Sequence, residues 1–218
     1  MTRRPRLLTT AAAGATALLL LTGCGGGDGG SKGNDKIAGA DTDTSPSASP
    51  SPSASEAADR PKIELPSDLS YTFDWPKTGN ADKDAVLADS EQSIKAVDLA
   101  ITNQNALDKA YLYYYEGEAA AQTQQFIQLY VKAAARTTGS YRYYDAVVNV
   151  SGPKTASLVY CEDQSKAYDY YLKTKKTDKT AVTKNSYVLY ATQMNKNAKG
   201  VWVIEKLQSQ RGSSKCQP

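Results

Sequence analysis

The 218-residue sequence contains no histidine. Every Ser-His or Cys-His nucleophile pair is thereby excluded, as is every histidine metal site. No P-loop, Gly-x-Gly-x-x-Gly or Gly-x-Ser-x-Gly follows a predicted strand, so no phosphate cradle or nucleophile elbow is expected. The glycine-rich stretch 23–30 has no predicted helix behind it on which a phosphate could rest. Phenylalanine, tryptophan and methionine number only two each, and cysteine three. Neither a metal nor a cofactor is expected from these residues. Beyond the first 24 residues no apolar run approaches the length that spans a bilayer.

What is present begins at the front. Met1-Thr-Arg-Arg-Pro-Arg6 is basic, Leu7 to Leu21 is rich in alanine and leucine, and Leu21-Thr22-Gly23-Cys24 closes the run. That order is a secretory signal, too short for a comfortable membrane span. It resembles bacterial lipoprotein signal peptides. The resemblance implies cleavage after residue 23, diacylation of the Cys24 sulfur, and attachment to the extracytoplasmic face of the cell membrane by lipid. Arg3, Arg4 and Arg6 are the only charged residues removed. Taking these three from the 26 Lys and Arg leaves 23, equal to the 23 Asp and Glu. A neutral chain lacks the positive field that nucleic acid demands, so that partner is excluded.

Residues 24–60 are rich in Gly, Ser, Pro and Asp, with too few apolar side chains to offset chain entropy; they read as a tether. Residues 61–218 are long enough for one domain with its own core. With Cys24 used for lipid, Cys161 and Cys216 are the remaining thiols, and two lone cysteines outside the cytosol are expected to pair. Apolar periodicity predicts a helix over 81–102, capped by Asn80 or Asp82, and a short helical segment carrying Leu107, Tyr111 and Leu112. A third helix is predicted over 118–137, with Phe126, Leu129, Tyr130, Ala133 and Ala134 on its inner face and Gly139 ending it. Strands are predicted over 141–150 and 155–162, then over 186–195 and 201–209, as two hairpins. Residues 163–182 are polar and lysine-rich, and read as a solvated connection. Helices followed by antiparallel strands predict an α+β fold, with N-terminal helices on a curved, mostly antiparallel sheet.

Three helical segments, two hairpins, Val159-Tyr-Cys161-Glu-Asp163 and Lys199-Gly-Val-Trp-Val-Ile-Glu205 together resemble the nuclear transport factor 2-like cone. They are also similar to a group of actinobacterial lipoproteins of that class. The resemblance implies a cone over about residues 81–216. It does not imply an activity, because that fold hosts isomerases, cyclases, dehydratases and non-catalytic binding modules.

Tyrosine is the compositional outlier: there are 15, all within residues 61–218. Neighbours in a strand point to opposite faces, so one each of Tyr143/Tyr144 and of Tyr187/Tyr190 is expected inside. With Trp202 these are the candidate ligand-binding residues, since a tyrosine offers a broad ring and a polar tip. The leading expectation is a non-catalytic module for a cell-wall glycan, a small apolar molecule or a protein partner, with a homodimer as a further arrangement. The rival is a histidine-free isomerase- or cyclase-like enzyme in which Asp145 or Glu205 exchanges a proton; Asp163 is a third carboxylate at a strand end. The interior separates the two. A plugged cone with aromatics outside marks the interaction module, and a hollow one holding a buried carboxylate beside a tyrosine hydroxyl marks the enzyme.

Overall fold

A computed structural model describes residues 59–218. The signal segment, Cys24 and all but the last two residues of the tether lie outside the described residues. The elements are β1 (Leu69–Phe73), α1 (Ala81–Thr102), α2 (Lys109–Leu112), α3 (Gly117–Ala133), β2 (Ala135–Val150), β3 (Thr155–Tyr171), β4 (Lys176–Asp178), β5 (Tyr187–Lys196) and β6 (Trp202–Arg211). One sheet runs β1-β2-β3-β5-β6, with β4 added beside β3. Only the β1–β2 pair is parallel. Helices α1 and α3 pack against β2 and β6, so the fold is α+β, with the helices on a curved mixed sheet.

The first helix begins where its sequence directs. Asn80 accepts the Lys83 N–H at 3.0 Å, and Asp82 and Asp84 lie in the first turn, where the helix dipole favours acids. Val86, Ile94 and Ile101 are buried along one stripe. That stripe also carries Asp89, Ser90, Ser93 and Asp98, all buried. Asp89 is bonded to Arg60 in the lead-in and accepts the Trp202 backbone N–H at 2.8 Å, which ties three segments together.

The third helix departs from expectation. It ends at Ala133, Ala134 turns left-handed at φ 47°, and β2 starts at once with Ala135. Pairing of residues 135–140 with the far half of β3 outweighs their weak helical periodicity. The buried row is Ala119, Thr123 and Ile127 rather than the predicted face; Phe126 and Leu129 are exposed. Gly139 does not end a helix. It lies inside β2 at φ 95°, where a Cβ would come within 2.1 Å of the Lys166 carbonyl oxygen. Only glycine permits that approach.

The polar stretch after residue 162 is also different from its prediction: β3 runs on to Tyr171 and turns back as β4. Residues 69–73 form β1 along β2. Ion pairs Arg136–Asp68 at 2.8 Å and Arg142–Asp74 at 2.6 Å flank the register. Two bulges bend the long β2–β3 ladder. One inserts an extra β3 residue between Asp163 and Lys166; the other inserts an extra β2 residue between Tyr144 and Val147, with Asp145 at φ 52°.

Candidate functional site

Between the helices and the sheet lies a cavity of about 670 Å³. Strand alternation aims its lining. Tyr141 and Tyr143 enter from β2, Tyr160, Glu162 and Gln164 from β3, and Tyr190 from β5. The extra residue after Asp163 reverses the alternation, so that beyond it Ala167 and Asp169 face inward. Asp98 reaches in from α1. Asp178, Thr180 and Arg211 are exposed lining residues and mark the mouth.

Two carboxylates are buried in this space. Glu162, 5% exposed, accepts the Tyr143 hydroxyl at 2.9 Å and the Gln164 amide at 2.6 Å on different oxygens. Asp98 accepts the Tyr71 hydroxyl at 2.6 Å and the Thr137 hydroxyl at 2.7 Å, again one on each oxygen. Among the described residues neither has a Lys or Arg partner. Burial pushes the Glu162 carboxyl above the ordinary range; hydrogen bonds from Tyr143, Gln164 and Tyr190 oppose this without cancelling it, and Asp98 adds to the rise. Burial raises Asp98 likewise, against the pull of Tyr71 and Thr137. The tyrosines are held neutral by the same burial: Tyr115 is pushed up to about 12, and Tyr143, Tyr160 and Tyr190 well above the usual phenol value.

The sign of the resulting pH dependence follows. A carboxyl whose folded pKa is raised binds more protons folded than unfolded, so its contribution is intact below the ordinary carboxylate range and is lost as pH climbs through the raised value. Glu162→Gln keeps the shape and cannot ionise. Its Tm relative to wild type is expected to rise as pH climbs above the ordinary carboxylate range, by about 2–4 °C for each kcal/mol of that linkage. Paired thermal melts over that climb in pH check it; a constant difference would show that Glu162 titrates normally.

Of the candidates read from sequence, Tyr143 and Tyr190 line the cavity. Tyr144 faces the other way, donating its hydroxyl to the Cys216 carbonyl beneath the Arg142 guanidinium. Tyr187 is half-buried outside the lining, and Trp202 is a fully buried core residue with Lys196 over its ring. The carboxylates proposed for acid–base work are not the ones inside. Asp145 is exposed because it occupies the left-handed bulge position, a conformation aspartate tolerates. Glu205 is partly exposed on β6, and Asp163 accepts the Ser165 N–H within the other bulge; none of the three lines the cavity. Asp98 and Glu162 take their place. Signals for both exist: Asp98 stands at i+4 in the stripe between Ile94 and Ile101, and Glu162 shares strand parity with buried Leu158 and Tyr160. Cys161 and Cys216 are joined, S–S 2.01 Å, fastening the middle of β3 to the C-terminal tail.

No protein-family model and no curated protein matches this chain. Among solved structures, it is similar to a ketosteroid isomerase-like protein from Erwinia carotovora atroseptica, at 11% identity over 62% of this chain and 98% of the other, TM-score 0.42. It is also similar to a hexachlorocyclohexane dehydrochlorinase from Novosphingobium barchaimii, at 8% identity over 60% and 88% of the two chains, TM-score 0.40. An NTF-2 like protein of unknown function from Shewanella oneidensis aligns at 14% identity over 57% and 98%, TM-score 0.34.

Proposed function

We propose that this chain is a lipid-anchored extracytoplasmic protein whose folded domain, residues 61–218, holds a small molecule inside its curved sheet. The observation that carries the reading is the cavity of about 670 Å³ with Glu162 and Asp98 buried in its wall. A pocket of that size suits a small ligand, and buried polar groups are costly unless something uses them. The basic, apolar and small-residue order ending in Cys24 supports the anchor. The bonded Cys161–Cys216 pair supports an oxidising compartment.

A second reading, an enzyme, rests on the hollow interior with a buried carboxylate beside a tyrosine hydroxyl, the arrangement expected above of one. The Glu162 carboxyl, raised by burial, accepts the Tyr143 hydroxyl at 2.9 Å, a combination suited to proton transfer with a bound substrate. Under it, Glu162→Gln abolishes turnover.

Thermal-shift screening of the full chain with neutral, anionic and cationic small molecules tests the pocket. A ligand at 100 times its Kd is expected to add about 2.7 kcal/mol of stability. Ala167→Phe, placing a ring in the lining, should remove that gain. If no compound of any class shifts wild type, the pocket reading is wrong. For the anchor, Cys24→Ser should move the protein from the membrane to the soluble fraction; continued retention overturns it.

A further inference from the structure

We propose that the ligand of this cavity is an organic cation, its ammonium group seated between Asp98 and Glu162 and its carbon substituents against the tyrosine wall. The inference rests on the pocket reading above and assigns its ligand class.

Three independent features of the cavity converge on that class. The first is charge. Asp98 and Glu162 each accept hydrogen bonds on both oxygens, yet neither has a cationic partner among the described residues. Nearer the mouth Asp169 and Asp178 are direct register partners on β3 and β4, and both line the cavity. Like charges placed directly opposite repel. Against these four acids stand Arg211, engaged by the Gln164 side-chain oxygen at 2.7 Å and the Asn185 carbonyl at 2.8 Å, and Lys179, which lies 5.9 Å over the Tyr168 ring. Four acids thus line the cavity, against the one arginine at its mouth.

The second feature is the wall. Seven of the lining residues are tyrosines, and Tyr160 and Tyr190 are register partners stacked at 5.2 Å. Aromatic walls attract desolvated ammonium groups through the negative faces of their rings. The third is an unanswered hydroxyl. Tyr160 is 5% exposed and lines the cavity, and its hydroxyl has no hydrogen-bond partner among the described residues. A ligand bearing a polar group beside its cation would meet it. A metal ion fits less well, because among the described residues no three Cys, Asp or Glu side chains converge as metal ligands do.

The groups facing the two carboxyls are Tyr71 from β1, Thr137, Tyr141 and Tyr143 from β2, Tyr160 and Gln164 from β3, Tyr190 from β5, Tyr130 from α3 and Tyr115 after α2, with Arg211 of β6 bonded to Gln164. Burial holds these tyrosines neutral and favours the protonated form of both carboxyls. A cation requires them ionised. Cation affinity should therefore rise with pH above the ordinary carboxylate range, and binding should release protons.

Titration calorimetry on the full chain with two isosteric pairs tests this. The pairs are choline against 3,3-dimethylbutan-1-ol, and 2-phenylethylammonium against 2-phenylethanol. At least one cation is expected to bind about tenfold or more tightly than its neutral twin at pH 8. That preference should shrink at pH 5 in wild type, and in Glu162→Gln or Asp98→Asn at pH 8. Neutral twins that bind as well as the cations overturn the cation class and leave the pocket reading standing. A cation preference that survives both substitutions and the pH change also overturns the assignment to these carboxylates. Failure of all four probes at about 10 mM, together with an empty thermal-shift screen, overturns both readings. The wild-type pH series decides the matter even if a variant does not fold.

Discussion

Asp89→Ala is expected to destabilise the domain by about 3–5 kcal/mol, the cost of breaking a buried ion pair from one side. Asp89 is 1% exposed on α1, with one oxygen on Arg60 and the other on the Trp202 backbone N–H. Alanine leaves the Arg60 guanidinium, itself only 17% exposed, without its anion. It also leaves an N–H of the fully buried Trp202 unmet, at the first residue of β6. Asp89→Asn retains an oxygen for that N–H and should lose less. In thermal or urea unfolding the alanine variant should melt about 10 °C or more below wild type. A change under about 1 kcal/mol would mean that Arg60 and the lead-in contribute little to the fold.

Removing the Cys161–Cys216 bond is expected to cost about 4 kcal/mol on the chain-entropy account, for residues 55 apart in sequence. Both cysteines are buried, so reduction also loosens packing at the end of the chain. The Cys216 carbonyl accepts the Tyr144 hydroxyl, and Cys161 adjoins Glu162 on β3. Melts of Cys161→Ser/Cys216→Ser against wild type should therefore show a lower Tm together with weaker ligand binding in the cavity. An unchanged Tm would show that strand pairing alone holds the tail.

Much of the architecture was legible in local pattern. The bounds of α1 and the two hairpins follow from short-range periodicity and turn chemistry, and of the two expected caps Asn80 is the one used; β1 ahead of α1 was not expected. Alternation by two placed one of Tyr143/Tyr144 and one of Tyr187/Tyr190 inside, and the structure shows that these are Tyr143 and Tyr190. Residues 135–140 and 163–171 were misassigned for one shared reason. Their strand state exists only because each half pairs with the other, some 30 residues away, and neither carries a strand signal strong enough alone.

By itself the sequence determined the α+β class, the absence of histidine chemistry, the pair of thiols left to join, and the tyrosine excess. Those are properties of composition and of neighbours along the chain. Only the tertiary structure decided that the interior is hollow and that Asp98 and Glu162, rather than Asp145 and Glu205, are enclosed in it. The reason is physical. Whether a space fills depends on the volumes of side chains brought together from β1, α1, α3 and the long strands. Asp145 and Glu205 each sit at a bulge, in β2 and β6, whereas Glu162 keeps the inward parity of Leu158 and Tyr160 and Asp98 enters from α1.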